Sequence, residues 1–240
     1  MDWHDEVRDA FRSGDTTRTR ELSERELAEA RGAGDVVREV DALCWLSRVA
    51  LREGEVDRAA SLADEARGLA TEPELGRLPL HMQAAAARMS GDHARARRLY
   101  EESLELNRSL GEHVMAAAEL HNLGHVELDD GRLERARELF AAAAAEAGRH
   151  EADVLRPYLA ADAAAIAAED GDAERAARLL GAAEAAFAAA GQIPDPDDAA
   201  DQQQLRERLA QLLGDERSRA ARDEGASLGL DEALGRLAGF

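Results

Sequence analysis

Apolar residues recur along this chain at the three- and four-residue spacing of amphipathic helices. Trp3, Val7 and Phe11 predict a short first helix, and a second helix covers roughly residues 16–31. Helical pairs are then predicted at 36–52 with 55–70, 75–90 with 92–109, 113–130 with 132–149, and 152–170 with 172–190. Beyond a proline-containing linker at 192–198, leucine spacing and turn residues predict helices at 205–213, at 215–225 and after Asp231. The chain is therefore expected to be all-α.

The helical pairs repeat with a fixed register. A turn glycine recurs at intervals of 37 or 40 residues, at Gly14, Gly54, Gly91, Gly131 and Gly171. In four copies an arginine and an alanine follow at the same offset, as Arg58-Ala59, Arg95-Ala96, Arg135-Ala136 and Arg175-Ala176. Glycine ends a helix because it tolerates the left-handed conformation, and alanine lets two helices approach closely. One such pair cannot bury its apolar face alone, so a stack of neighbouring pairs is expected.

The fourth copy carries the clearest family pattern, with Leu120, Leu123, Gly124, Leu133, Ala136, Phe140 and Ala143 as its large and small core residues. In these positions the chain resembles the tetratricopeptide repeat family. The resemblance implies a right-handed superhelix of about five helical hairpins followed by capping helices. We therefore expect a repeat domain over residues 1–191, with capping helices over 192–240 that pack on the last repeat.

A second resemblance covers residues 171–234. The segment 171–184, followed by Leu213-Gly214, Glu224-Gly225 and the acidic pair at 231–232, is similar to the last repeat of bacterial LuxR-type activators and signalling ATPases. Ser218 and Arg222 depart from that pattern, because those regulators usually carry large aromatic residues there. The resemblance implies a bacterial regulatory or sensor module.

Composition narrows the possible functions. The chain has 30 basic and 50 acidic residues, a net charge of −20, and every basic residue is arginine. This charge disfavours direct binding of nucleic acid or of an anionic membrane. The lack of lysine excludes a phosphate-loop lysine and a Schiff base, and no dinucleotide-binding motif is present. We therefore expect no cofactor and no catalytic activity.

The expected location is the cytoplasm. Cys44 is the one cysteine, so an intramolecular disulfide is excluded and a reducing compartment is favoured. The N-terminus lacks the basic and apolar regions of a signal peptide, and no apolar run is long enough to span a membrane. Oligomeric state is not indicated by the sequence.

The first helices of such hairpins line the concave face, which predicts a groove for a peptide or protein partner. The arginines are expected to bind acidic groups, the histidines to donate or accept hydrogen bonds, and the tyrosine to provide a flat contact. The predicted groove residues are Asp41, Cys44, Arg48, Arg52, His81, Arg88, His121, His125, Asp129 and Tyr158.

Three alternatives stay open. A small-molecule effector could bind in place of a peptide, as the regulator resemblance allows. Cys44, His81 and His121 occupy equivalent positions in successive repeats, so together with His125 they could bind zinc or copper, although no zinc motif accompanies them and we predict no metal ligands. A Cys44–His81 nucleophilic pair is a further hypothesis. The acidic pair Asp197-Asp198 is interpreted as turn or cap residues rather than as an acid–base couple.

Overall fold

The computed structural model describes residues 2–237, and over this part of the chain it contains helices and no strand. The helices are α1 (Trp3–Arg12), α2 (Thr16–Ala33), α3 (Val36–Arg52), α4 (Val56–Leu69), α5 (Pro73–Met89), α6 (His93–Ser109), α7 (His113–Asp129), α8 (Leu133–Arg149), α9 (Arg156–Glu169), α10 (Ala173–Ala189), α11 (Pro196–Leu213), α12 (Asp215–Leu228) and α13 (Leu230–Leu237). A short 3₁₀ turn, Asp153–Leu155, precedes α9. The all-α prediction is confirmed.

The largest difference from a predicted boundary lies at the linker. The helix α11 begins at Pro196, so the second half of the predicted linker 192–198 is helical. Proline is well suited to a first helical position because its missing N–H would have no partner there. Residues 238–240, which belong to the predicted capping segment, lie outside the described residues. The predicted division of the chain at residue 191 stays a prediction.

The chain divides into two compact units. The first runs to Glu112 and includes Asp195–Asp197. Its six helices α1 to α6 pack as antiparallel neighbours along the sequence. Val40, Leu43 and Met82 are among the side chains of its core. Turn glycines at the ends of α3 and α5, Gly54 and Gly91, have φ of 75° and 81°, the left-handed conformation expected for them.

The second unit comprises His113–Pro194 and the chain from Asp198 onward. The hairpins α7–α8 and α9–α10 form its repeats, α12 packs along α10, and α13 contacts both α9 and α10. Leu179, Leu180 and Leu209 are fully buried in its core. Since Leu209 lies on α11, that helix contributes an apolar side chain to the same core as the repeats.

Glycine permits an unusually close contact between α10 and α12. A Cβ added at Gly181 would lie 2.0 Å from the carbonyl oxygen of Arg222, and one added at Gly225 would lie 1.8 Å from that of Arg178. The two helices therefore meet backbone to backbone. Ser218 on α12 is also buried and is 2% exposed. Close glycine packing thus docks α12 on α10.

Gly225→Ala is expected to destabilise the second unit, because the added methyl group requires the backbones of α10 and α12 to separate. Overpacking of this kind costs about 1–3 kcal/mol. Urea unfolding followed by circular dichroism measures the loss. Gly148→Ala in α8 is the matched control, since its Cβ would meet nothing within 4 Å. Equal stability of the two variants would contradict the backbone contact.

Candidate functional site

Cys44 is a core residue of the first unit. It is 3% exposed and packs among Val40, Ala63 and Met82. Burial, reinforced by the charge of Asp41, raises the pKa of its thiol to about 12. A buried thiol with a raised pKa holds little thiolate at neutral pH. This burial disfavours the alternatives that gave Cys44 a role in zinc binding or in nucleophilic catalysis, and helical spacing alone did not reveal it.

Two predicted groove arginines of the first unit lie close to carboxylates. Nη1 of Arg48 lies 3.6 Å from Oδ1 of Asp195, and its guanidinium lies 5.4 Å from the centre of the Trp45 ring. Arg88 is buried, and its Nη1 lies 3.5 Å from Oδ2 of Asp197. The acidic stretch that begins α11 therefore supplies the counter-charges of both side chains.

The other groove candidates of the first unit have different surroundings. Nη1 of Arg52 donates a hydrogen bond of 2.6 Å to the carbonyl oxygen of Phe11, and its guanidinium lies 3.7 Å from the centre of that residue's ring. Asp41 lies 3.7 Å from Nε2 of His4. His81 meets the edge of a tyrosine ring 6.1 Å away.

In the second unit, two predicted histidines form the centre of a buried charged cluster. His121 and His125 lie one turn apart on α7, facing Asp162 on α9 and Asp198 and Asp201 on α11. Nδ1 of His121 is 2.9 Å from Asp162, and its Nε2 is 2.8 Å from Oδ1 of Asp198. Nε2 of His125 is 3.0 Å from Oδ1 of Asp162, and its Nδ1 is 3.0 Å from Oδ2 of Asp201. Each imidazole thus bridges two carboxylates.

Neighbouring side chains cover the two histidines and Asp162. His121 and His125 are 5% and 6% exposed, and Asp162 is fully buried. The ring of Phe140 on α8 meets His125 edge-on with centres 5.0 Å apart, and the ring of Tyr158 on α9 approaches His121 at 5.7 Å. The alanines that make up half of α9 let that helix pack close enough for a short aspartate side chain to reach α7.

The charges of the cluster stabilise one another. Burial alone would lower the pKa of both imidazoles, but the carboxylates outweigh it and raise the pKa of His121 well above its usual value. Burial also lowers the pKa of His125, but Asp201 and Asp162 outweigh burial and raise this pKa to about 9. Burial would raise the pKa of Asp162, yet the two histidines hold it below its usual value. The cluster therefore contains two imidazolium groups at neutral pH.

This arrangement favours binding over catalysis. An imidazolium that donates from both nitrogens has no lone pair with which to accept a proton or attack an electrophile. What it can do is hold carboxylates through charge-assisted hydrogen bonds, which are stronger than neutral ones. Two of the three carboxylates come from α11, outside the repeats.

A small cavity adjoins the cluster within the second unit. It has a volume of about 300 Å³ and lies between α7, α9 and α11, with Leu128, Ala165 and Leu205 among its apolar lining. Asp129, which the sequence placed in the groove, lines it as well and is exposed. Within the described part of the chain, no group accepts a hydrogen bond from Nε2 of the buried Gln202 at its edge.

The sequence predicted the histidines but missed their carboxylate partners. Asp162 carried a usable signal, since it is the one charged residue between Leu159 and Ala168 in an otherwise apolar helix. Asp198 was interpreted as a turn or cap residue. It does lie in the first turn of α11, but its side chain also binds His121.

Comparison with known proteins identifies the fold. Residues 78–145 match the model of the tetratricopeptide repeat family. Among solved structures, the chain is similar to BtubC (BKLC) from P. vanneervenii, with a TM-score of 0.61, 19% identity and coverage of 92% of each chain. The fold is tetratricopeptide-like. No curated protein gives a significant sequence match.

Two further tetratricopeptide-like structures agree. A Rap protein complexed with Competence and Sporulation Factor has a TM-score of 0.66 at 17% identity, over 98% of this chain and 75% of that one. A putative kinesin light chain from Podosopora anserina, with nearly identical TPR-like repeats, has a TM-score of 0.52 at 19% identity, over 87% and 93% of the two chains. The resemblance of residues 171–234 to LuxR-type regulators stays a prediction. In the described part of the chain, no helix is long and apolar enough to cross a membrane.

The free energy of unfolding is expected to fall between pH 6.5 and pH 9. A histidine whose pKa is higher in the folded state stabilises the fold fully below its unfolded pKa, and this contribution disappears as the pH rises through the folded value. The shift of His125 from 6.5 to about 9 corresponds to at most roughly 3–4 kcal/mol. The opposite sign applies to Asp162, whose contribution is lost in acid, below pH 3.8.

Urea unfolding at pH 6 and pH 9.5 measures this difference. Asp201→Asn should reduce it, because the variant removes the carboxylate that most raises the pKa of His125. Glu207→Gln, an exposed change of the same kind on α11, is the control and should leave the difference intact. A wild-type protein equally stable at both pH values would refute the charged state assigned to the cluster.

Proposed function

We propose that this protein is a non-catalytic binding scaffold that recognises an acidic segment of a protein or peptide partner on the first helices of its repeats. The observation that supports this most directly is that Asp198 and Asp201 form ion pairs with His121 and His125. A helix that is not part of a repeat here presents carboxylates to two histidines that were predicted to bind a partner.

The first unit, taken by itself, supports the same chemistry. Arg48 and Arg88 lie on the first helices of two repeats, and each is close to an aspartate of the stretch 195–197. A partner with acidic residues would complement the charge of these two arginines. Arg48 and Arg88 are the proposed contacts of the first unit, and His121 and His125 are those of the second unit. The remaining predicted groove residues, among them Asp41, Arg52, His81, Asp129 and Tyr158, stay predictions.

In the second unit, a partner would have to compete with the chain's own Asp198 and Asp201. A tethered segment acts at an effective concentration that reaches the millimolar range for short linkers. The apparent affinity for a partner is then reduced by the fraction of molecules in which the segment is bound. Such competition fits a regulatory role, and the similar Rap protein was solved in complex with Competence and Sporulation Factor. A bacterial origin and a cytoplasmic location remain expectations from the sequence.

The alternative of a small-molecule effector would use the cavity beside His125. Its volume of about 300 Å³ is at the lower limit of typical ligand sites. Charged side chains, including Asp129 and Arg208, also contribute to its lining. The histidines of the neighbouring cluster bind carboxylates, which indicates a definite ligand chemistry, whereas the mixed lining of this cavity does not. We therefore favour the acidic partner.

The test uses a fluorescein-labelled peptide of residues 192–204 as the probe and the full chain as the receptor. Asp198→Asn with Asp201→Asn should weaken the internal contact and expose the histidines. The peptide is then expected to bind this double variant at least tenfold more tightly than the wild type, as measured by fluorescence anisotropy. The reason is that the tethered competitor has been weakened while the basic contacts are intact.

Two controls make the result specific. A peptide with asparagine at the positions of Asp198 and Asp201 should bind at least tenfold less tightly to the double variant. The receptor variant Glu207→Gln should bind the original peptide no better than the wild type does. If neither receptor binds the acidic peptide, or if the asparagine peptide binds equally well, the proposed recognition of carboxylates is wrong.

A further inference from the structure

A second histidine group lies in the second unit, apart from the buried charged cluster. His113 begins α7, Glu146 lies in the last turn of α8, and His150 follows the end of α8. The imidazole rings of the two histidines stack with their centres 3.7 Å apart and their planes inclined by 5°. We propose that these three residues form a binding site for a transition-metal dication such as Zn²⁺, which would join the first turn of α7 to the end of α8.

The ligand atoms converge on one point. Nδ1 of His113 lies 3.1 Å from Oε1 of Glu146, and Nε2 of His150 lies 3.6 Å from the same oxygen. The three ligand atoms lie within 4.8 Å of one another. In tetrahedral zinc sites with bonds of about 2.0–2.2 Å, neighbouring ligand atoms are about 3.3 Å apart. Small side-chain movements would therefore bring the three ligand atoms to three tetrahedral positions around an ion. Solvent could supply the fourth ligand.

Glu146 carries its negative charge in an unfavourable position. Its side chain is only 8% exposed, and it lies near the C-terminus of α8, where the helix dipole disfavours a negative charge. Arg149 binds the other carboxylate oxygen, Oε2. This contact leaves Oε1 directed at the two imidazoles. Arg149 thus orients Glu146 as outer groups orient the ligands of a metal ion.

The backbone beyond His150 is also unusual. Other hairpin ends of this unit have glycine two residues after the helix, as at Gly131, Gly171 and Gly191, whereas α8 has Glu151 with φ of 51°. Among the described residues, it is the one non-glycine residue with positive φ. The left-handed turn at Glu151 places His150 where its imidazole approaches Glu146.

The buried cluster is less suited to a metal ion. Both nitrogens of His121 and of His125 are already hydrogen-bonded to carboxylates. A metal would have to displace protons that those carboxylates stabilise. By contrast, the side chains of His113 and His150 are 41% and 34% exposed, so an ion can reach them from solvent.

The test is a titration of the full chain with Zn²⁺ by isothermal calorimetry, in excess Mg²⁺ to occupy the acidic surface. Wild-type protein is expected to bind one Zn²⁺ with micromolar affinity and to unfold at a higher temperature when loaded. His113→Ala and His150→Ala should each lower the affinity at least tenfold, because each removes one of three ligands. Co²⁺ should give the visible absorption of a low-symmetry site in the wild type alone.

His93→Ala is the matched control, since His93 begins α6 as His113 begins α7. This variant should bind Zn²⁺ as the wild type does. Circular dichroism and the unfolding temperature in EDTA establish that each variant is folded. The proposal is overturned if the wild type shows no saturable binding of one Zn²⁺, or if both ligand variants bind as tightly as the wild type.

Discussion

Close packing of helices through small residues is the constraint on which this structure depends. Where α9 presents alanine along almost its whole length, its neighbours approach until little water remains between them. A polar group trapped in such a space must find its partners within the protein, because an unsatisfied buried charge costs several kcal/mol. His121, His125 and Asp162 meet this requirement mutually, with Asp198 and Asp201 of α11 completing the set.

The same constraint explains why α11 is more than a capping helix. Its apolar residues, such as Leu209, belong to the core of the second unit, while its aspartates neutralise histidines of a repeat. Removing the helix would expose both an apolar surface and two cations. Binding of an external acidic segment would therefore replace existing interactions rather than fill an empty groove, and affinity would depend on the difference between the two sets of contacts.

The fold was predictable because its determinants are local. Turn glycines, helical periodicity and the small residue after each turn are read directly from the sequence, and the helix boundaries follow from them. The same register singled out His121 as a residue of the predicted groove. Its partner Asp198 could not be predicted, since the two residues are 77 positions apart and periodicity indicates a buried face without indicating which segment covers it. The degree of burial was not predictable either, because the position of Cys44 on α3 did not reveal how completely its side chain is buried.

The burial of Cys44 has a practical consequence. With no other cysteine in the sequence, and with burial raising the pKa of its thiol, Cys44 is expected to react slowly with maleimides and related reagents. A cysteine introduced on the exposed side of α11 would therefore accept a fluorophore selectively, without first removing the native thiol. Attachment and release of that helix could then be followed by spectroscopy in an otherwise unaltered protein.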